Sequence, residues 1–125
     1  MGTWGSGNFD NDHALDYLAN VCDPLVEKLS DIVQDPSLAE ADEDGWVECM
    51  VAVEILTLLS KNHISKKLTP QLVTECRDIV LREWLASIDG LDPDPDHKAE
   101  RPVVIKQTFD KLLTIVEGWQ RFLNR

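Results

Sequence analysis

Trp46-Val47-Glu48-Cys49-Met50-Val51-Ala52-Val53-Glu54-Ile55-Leu56-Thr57-Leu58-Leu59-Ser60 decides how the rest of the chain is read. It is apolar on nearly every face of a helix, interrupted only by Glu48, Glu54 and small polar groups. Its most apolar run, Ile55 to Leu59, falls far short of the roughly 20 residues that span a bilayer. A helix with apolar residues all round is expected to be the central one, surrounded by others. The flanking sequence should then supply amphipathic helices to cover it.

It does. Upstream, Leu15, Leu18, Cys22, Leu25, Leu29 and Ile32 alternate three- and four-residue steps, the spacing of a helical stripe. Asp10-Asn11-Asp12 supplies a cap and an acidic first turn. Pro24 interrupts the stripe, because its ring opposes the carbonyl of Asn20, and Asp23-Pro24 also reads as a cap with a first helical position. Two helices, 11–22 and 24–34, or one kinked helix both fit. Asp35-Pro36 ends that element. Ser37-Leu38-Ala39-Glu40 has capping-box spacing, so a further helix is expected to begin there despite Gly45.

Downstream, Thr69-Pro70 opens a helix in which Leu72, Cys76, Ile79, Val80, Glu83 or Trp84, and Ile88 follow a helical period, with Asp78 and Arg82 paired outside and Gly90 as its stop. Asp92-Pro93-Asp94-Pro95-Asp96 reads as a stiff acidic loop. Ile105, Phe109, Leu112, Leu113, Val116 and Leu123 form the stripe of a last helix, with Glu117 and Arg121 paired on its outer side. No strand stands out. The expected fold is all-α: a single-domain bundle of four to five helices over residues 1–125. Residues 1–10 are Gly-rich and irregular, packed on the bundle by Trp4 and Phe9.

Composition narrows the function. The 125 residues are 43% hydrophobic and 28% charged, the balance of a foldable chain. Twelve Lys and Arg against 23 Asp and Glu give a net charge of −11. Nucleic acid is excluded as a partner, because a polyanion needs a cationic surface. An anionic membrane surface is disfavoured for the same reason. The odd count of Cys22, Cys49 and Cys76, each within a helical pattern, points to buried, reduced thiols in a cytoplasmic protein. The acidic N-terminal stretch has no basic start of a secretory signal. Met1-Gly2-Thr3-Trp4-Gly5-Ser6 fits an acylation pattern formally but lacks the polybasic partner that one acyl chain needs.

The negative charge is lopsided. Residues 1–60 hold 13 acids and one base, Lys28, whereas residues 61–125 are nearly balanced with 10 acids and 11 bases. Asp31, Asp35, Glu40, Asp42, Glu43, Asp44, Glu48 and Glu54 lie between Lys28 and Lys61 with no intervening base. Such a run is either a solvated face that complements helix dipoles or a docking face for something cationic.

Motifs for chemistry are weak. Asp92, Asp94 and Asp96 begin like a calcium loop, but His97 stands where glycine is required and Val103 where the closing glutamate belongs. Asp10, Asp12, His13 and Asp16 crowd one helix start and could reach a metal ion, although capping alone accounts for them. His13, His63 and His97 are scattered, the latter two in expected loops, and no triad context surrounds them. No catalytic residue, metal or cofactor is assigned. Glu54, on the most apolar helix, is expected to face a polar edge or to accept hydrogen bonds from amides of the glycine-rich opening, a catalytic role being the remaining reading.

The run Met1-Gly2-Thr3-Trp4-Gly5-Ser6-Gly7-Asn8-Phe9-Asp10-Asn11-Asp12-His13-Ala14-Leu15-Asp16 resembles the opening of a bacterial family of helical domains of unknown function, Met-Gly-x-Trp-Gly-x-Gly-x-Phe-Asp-Asn-Asp-x-Ala-x-Asp. Val51-Ala52-Val53-Glu54 stands where relatives often carry Ala-Ala-Ala-Glu. The resemblance implies a small, mainly helical domain and no activity.

The reading that joins these features is an acidic cytoplasmic immunity or antitoxin-like protein that occludes a basic toxin, such as a nuclease. Its partner-binding residues would be Asp31, Asp35, Glu40, Asp42, Glu43, Asp44 and Glu48, with Asp92, Asp94 and Asp96. The alternatives are a general interaction or structural module, and an enzyme built on Asp10, Asp12, His13 and Asp16. The oligomeric state is left open.

Overall fold

A computed structural model describes residues 2–124; Met1, the first position of the opening motif, and Arg125 lie outside the described residues. Four α-helices follow in order: α1 (Asp12–Gln34), α2 (Gly45–Leu59), α3 (Pro70–Ser87) and α4 (Pro95–Leu123). Short 3-10 turns at Pro36–Ala39 and Ile88–Leu91 precede α2 and α4. No described helix is long and apolar enough to cross a membrane.

The helix starts follow from their capping residues. The Asn11 side chain accepts the Ala14 amide at 2.8 Å, and Thr69 Oγ1 accepts the Leu72 amide at 3.1 Å. Each cap satisfies one of the donors that a helix start leaves open. Asp94 accepts the Asp96 amide at 2.8 Å, and Pro95 follows as the first residue of α4.

Pro24 does not divide α1. The helix runs unbroken through it, with Leu18, Cys22, Val26, Leu29 and Ile32 buried on one side. Burial of the two turns on either side outweighs the local cost of about 3 kcal/mol. The capping box at Ser37 is not used either. The Asp35 carboxylate takes the Ser37 hydroxyl at 2.6 Å and its amide at 3.3 Å, holding Pro36–Ala39 as a 3-10 turn, and α2 waits until Gly45. Gly90 lies within the 3-10 turn that follows α3, and His97 sits in α4 instead of a loop.

Around the core the helices neighbour one another in the order α1, α2, α4, α3. Lys28 on α1 meets Glu48 on α2 at 2.9 Å, and Arg77 on α3 meets Asp110 on α4 at 3.0 Å. The expected Asp78–Arg82 pair is replaced by neighbours in sequence, Asp78 with Arg77 and Arg82 with Glu83. Trp84 and Phe109 are the largest fully buried side chains. Inside the bundle the sulfurs of Cys49 and Cys76 approach to 3.5 Å. The α2–α3 loop is tied to α4 by the Trp119 indole, which donates to the Ser60 carbonyl at 2.6 Å.

Two expectations about apolar residues fail. Trp4 is 58% exposed and Phe9 39% exposed, so their rings do not pin the opening segment to the core. Backbone pairing holds it instead: the Trp4 amide donates to the Asp10 carbonyl at 2.9 Å, and the Asp12 amide to Gly2 at 2.7 Å. Gly2 adopts a φ of +64°, open to glycine at little cost. In addition, α2 is not surrounded. Cys49, Met50, Ala52, Val53 and Leu56 are buried, while Val47, Val51, Ile55 and Leu58 face outward. In a bundle of four every helix keeps one outer face, so all-round apolarity cannot be buried.

The acidic end of the bundle as a candidate binding site

The alternating helix directions bring the end of α1, the start of α2, the end of α3 and the start of α4 to one end of the bundle. Packing there is specific. The Ala41 amide donates to Ser87 Oγ at 2.8 Å, and the Trp46 indole donates to the Ala41 carbonyl at 3.1 Å. Trp46 meets Trp84 edge-on at 6.4 Å, and Trp84 meets His97 at 6.0 Å. The guanidinium of Arg101 lies 4.8 Å from the centre of the Trp46 ring, a cation–π contact.

On this scaffold the acids of residues 31–48 come together. Asp31, Glu43, Asp44 and Glu48 line an open cleft of about 280 Å³ together with Lys28, Ile32, Leu38 and Gly45. Beside it, one carboxylate oxygen from each of Glu40, Asp42 and Glu43 lies within 4.8 Å of the other two. Among the described residues, Glu40, Asp42, Glu43 and Asp44 join no ion pair. Lys28 is held by Glu48, whose hydrogen bond and charge, aided by Asp31, push its pKa upward and keep it cationic. Asp35 serves the 3-10 turn, as described above. Asp31 stands in the last turn of α1, which has no basic residue there, so its charge adds to the negative end of the helix dipole.

Asp92, Asp94 and Asp96 belong to the same end but do not line the cleft. Asp92 and Asp94 lie on the connection between α3 and α4, whereas Pro95 and Asp96, expected in the same stiff loop, already form the first turn of α4. Asp92 takes a left-handed backbone with φ 50°, Asp94 caps α4, and neighbouring Asp89 pairs with Lys98 at 2.6 Å.

The group at the start of α1 is arranged differently from a ligand set. Asp10 accepts the Gly7 amide at 2.8 Å, and Asp12 packs so closely on Gly2 that a Cβ there would strike its carboxylate. Asp10, Asp12, His13 and Asp16 do not converge within metal-binding distance; among the described residues the group that does is Glu40, Asp42 and Glu43. The sequence signal for that group was three acids within four positions beside a turn. Glu54 is exposed and lines a small groove between α2 and α4 with Met50, Val51, Arg101, Val104 and Thr108. Among the described residues its carboxylate takes no hydrogen bond, so the expected bonds from glycine amides of the opening are absent, and Gly7 bonds to Asp10 instead.

The three cysteines are free and buried. The Cys49 contact and then burial push the Cys76 thiol strongly upward, and burial with the neighbouring Asp23 raises Cys22. Neither is a thiolate at neutral pH.

A family profile described as "Domain of unknown function (DUF4259)" matches residues 2–118. No curated protein and no solved structure matches the chain.

Proposed function

The chain belongs to the DUF4259 family, a domain of unknown function, and from that premise we propose that it works by binding: an acidic cytoplasmic protein of the immunity or antitoxin kind that covers the basic surface of a toxin such as a nuclease. The observation that carries this reading is the group of unpaired carboxylates of Glu40, Asp42, Glu43 and Asp44 beside the cleft bounded by Asp31 and Glu48. Like charges held this close repel one another and lower stability. A cationic partner removes that penalty on binding, and the field extends far enough to accelerate encounter.

The test is capture of partners from the native cell, followed by titration of the purified pair at about 0.05 and 0.5 M salt, spanning strong to weak screening. The reading expects a basic protein whose activity is lost on binding. It also expects an association rate that falls with salt and falls again by about tenfold in the variant E40Q/D42N/E43Q/D44N. Unchanged binding by that variant overturns the reading. So does saturation of the Glu40, Asp42 and Glu43 group by magnesium or calcium at ordinary cellular concentration, which assigns the carboxylates to a cation.

A further inference from the structure

Carboxylates gather at one end of the bundle, and free cations gather at the other. Lys61, Lys66 and Lys67 lie on the connection between α2 and α3, and Arg121 on the last turn of α4; all four are exposed. Among the described residues none of them joins an ion pair, and the expected Glu117–Arg121 pair is absent. The connection is firmly held. Leu68 is buried, Ser65 Oγ accepts the Lys67 amide at 3.2 Å, and the Leu68 amide donates to the Ser65 carbonyl at 3.1 Å. Apolar surface accompanies these cations. Phe122 is 56% exposed and Leu123 65% exposed. Ile115, Gly118, Trp119 and Phe122 line an open hollow of about 340 Å³, and Trp119 also borders a groove that includes Lys66. The Arg121 guanidinium folds back over Gly118, 4.0 Å from where a Cβ would stand, so a cation edges the hollow.

Net charge disfavours an anionic surface for the chain taken whole, but the acidic end is remote from these cations. The 29 residues of α4 run from that end to this one, about 43 Å at the helical rise. Exposed charges are screened beyond about 8 Å at physiological ionic strength. Acids at the start of α1 share the basic end but stand on the corner diagonal to α4, and Asp10 and Asp12 there are taken up by the opening loop. Asp23 accepts the Ser65 hydroxyl at 3.4 Å, and Glu117 is the one acid on the last two turns of α4.

An open hollow suits an occupant with no fixed shape. A protein partner needs a closely matching surface. A bilayer interface instead takes aromatic and aliphatic groups at the acyl boundary and Lys or Arg among the headgroups. We infer that the end of the bundle formed by the α2–α3 connection and the last turns of α4 is a peripheral docking surface for an anionic lipid bilayer. The inference goes beyond the acidic-binding reading and does not depend on it. Docked this way, the chain turns its acidic end away from the bilayer.

The test is co-sedimentation of the full chain with vesicles at about 0.15 M salt. One set is phosphatidylcholine alone, and the other contains about 30% phosphatidylglycerol. The anionic vesicles are expected to bind at least about tenfold more tightly. Each cation near an anionic surface is worth about fivefold, so K61Q/K66Q/K67Q is expected to lose on the order of 100-fold. F122S/L123S is expected to lose about tenfold while still preferring the anionic vesicles. These five positions are exposed, and circular dichroism checks that both variants keep the helical fold. E40Q/D42N/E43Q/D44N, altered at the far end, is expected to bind within about twofold of the parent. No binding to anionic vesicles, equal binding to both sets, or unchanged binding by either basic-end variant overturns the inference and leaves the acidic reading standing. If the far-end variant gains as much as the lysine variant loses, the charge of the whole molecule governs binding and the inference falls. A dimer that F122S/L123S abolishes assigns the surface to a second copy. Binding of an acidic Leu/Glu amphipathic peptide in place of the vesicles assigns it to a protein, and either result overturns the inference.

Discussion

Gly45 opens α2 where the chain passes closest to the preceding turn: a Cβ at this position would stand 2.7 Å from the Leu38 carbonyl oxygen. Backbone cannot swing aside as a flexible side chain can. Gly45→Ala is therefore expected to destabilise by about 1 kcal/mol or more despite the better helix propensity of alanine, lowering the midpoint of thermal unfolding by several degrees. The thiols make a second expectation at this scale. A raised pKa in the folded state means that the folded chain holds protons which the unfolded chain releases above about 9, the ordinary thiol value. The contribution of Cys22 and Cys76 is thus fully present below that pH and is lost as pH rises. Urea unfolding should show falling stability from pH 9 upward, and a thiol reagent at neutral pH should modify the three cysteines only as the chain unfolds. That these residues are buried was legible from their places in the helical stripes. That Cys49 and Cys76 meet was not, because their contact joins different helices.

Among the elements, α1 shows where local rules yield to packing. Its stripe was legible from the alternating spacing of Leu15 to Ile32, yet Pro24 argued equally for a break. Local sterics state what proline costs, and only the buried neighbours state what continuity gains. Pro24→Ala should restore a donor for the Asn20 carbonyl and stabilise the protein by about 1–2 kcal/mol, the helix-propensity gain less the stiffness lost from the unfolded chain. Denaturant unfolding measures it, and a loss of stability would mean that proline shapes α1 for its neighbours. For α2 the opposite holds. Its existence was plain, but a helix apolar on every side carries no signal for which face turns inward. The outer stripe could not be read before α1 and α4 were in place.

At the scale of the molecule, the fold concentrates charge. Acids of residues 31–48 and of residues 89–96 lie on two separate connections and the helix ends that flank them, and the alternating helix directions bring both to one end. Self-repulsion there should make the isolated protein more stable as salt rises from about 0.05 to 0.5 M, the range over which exposed charges become screened. Calorimetry should record a rising unfolding midpoint, and E40Q/D42N/E43Q/D44N should be more stable than the parent at low salt with a smaller response to salt. A fall in midpoint would mean that favourable ion pairs such as Lys28–Glu48 outweigh the repulsion.

Read alone, the chain determined the helical class, the residues lining most of the core, and the sign and lopsidedness of the charge. These follow from spacing and composition, which act along the sequence. Tertiary structure decided that α1 is continuous, that α2 begins at Gly45, that Trp4 and Phe9 remain at the surface, and that α2 has an outer face. It also brought Glu40, Asp42 and Glu43 within reach of one another while Asp10 and Asp12 were taken up by the opening loop. Each of those outcomes depends on what a second segment places opposite the first, and no period or motif within one segment encodes its neighbour.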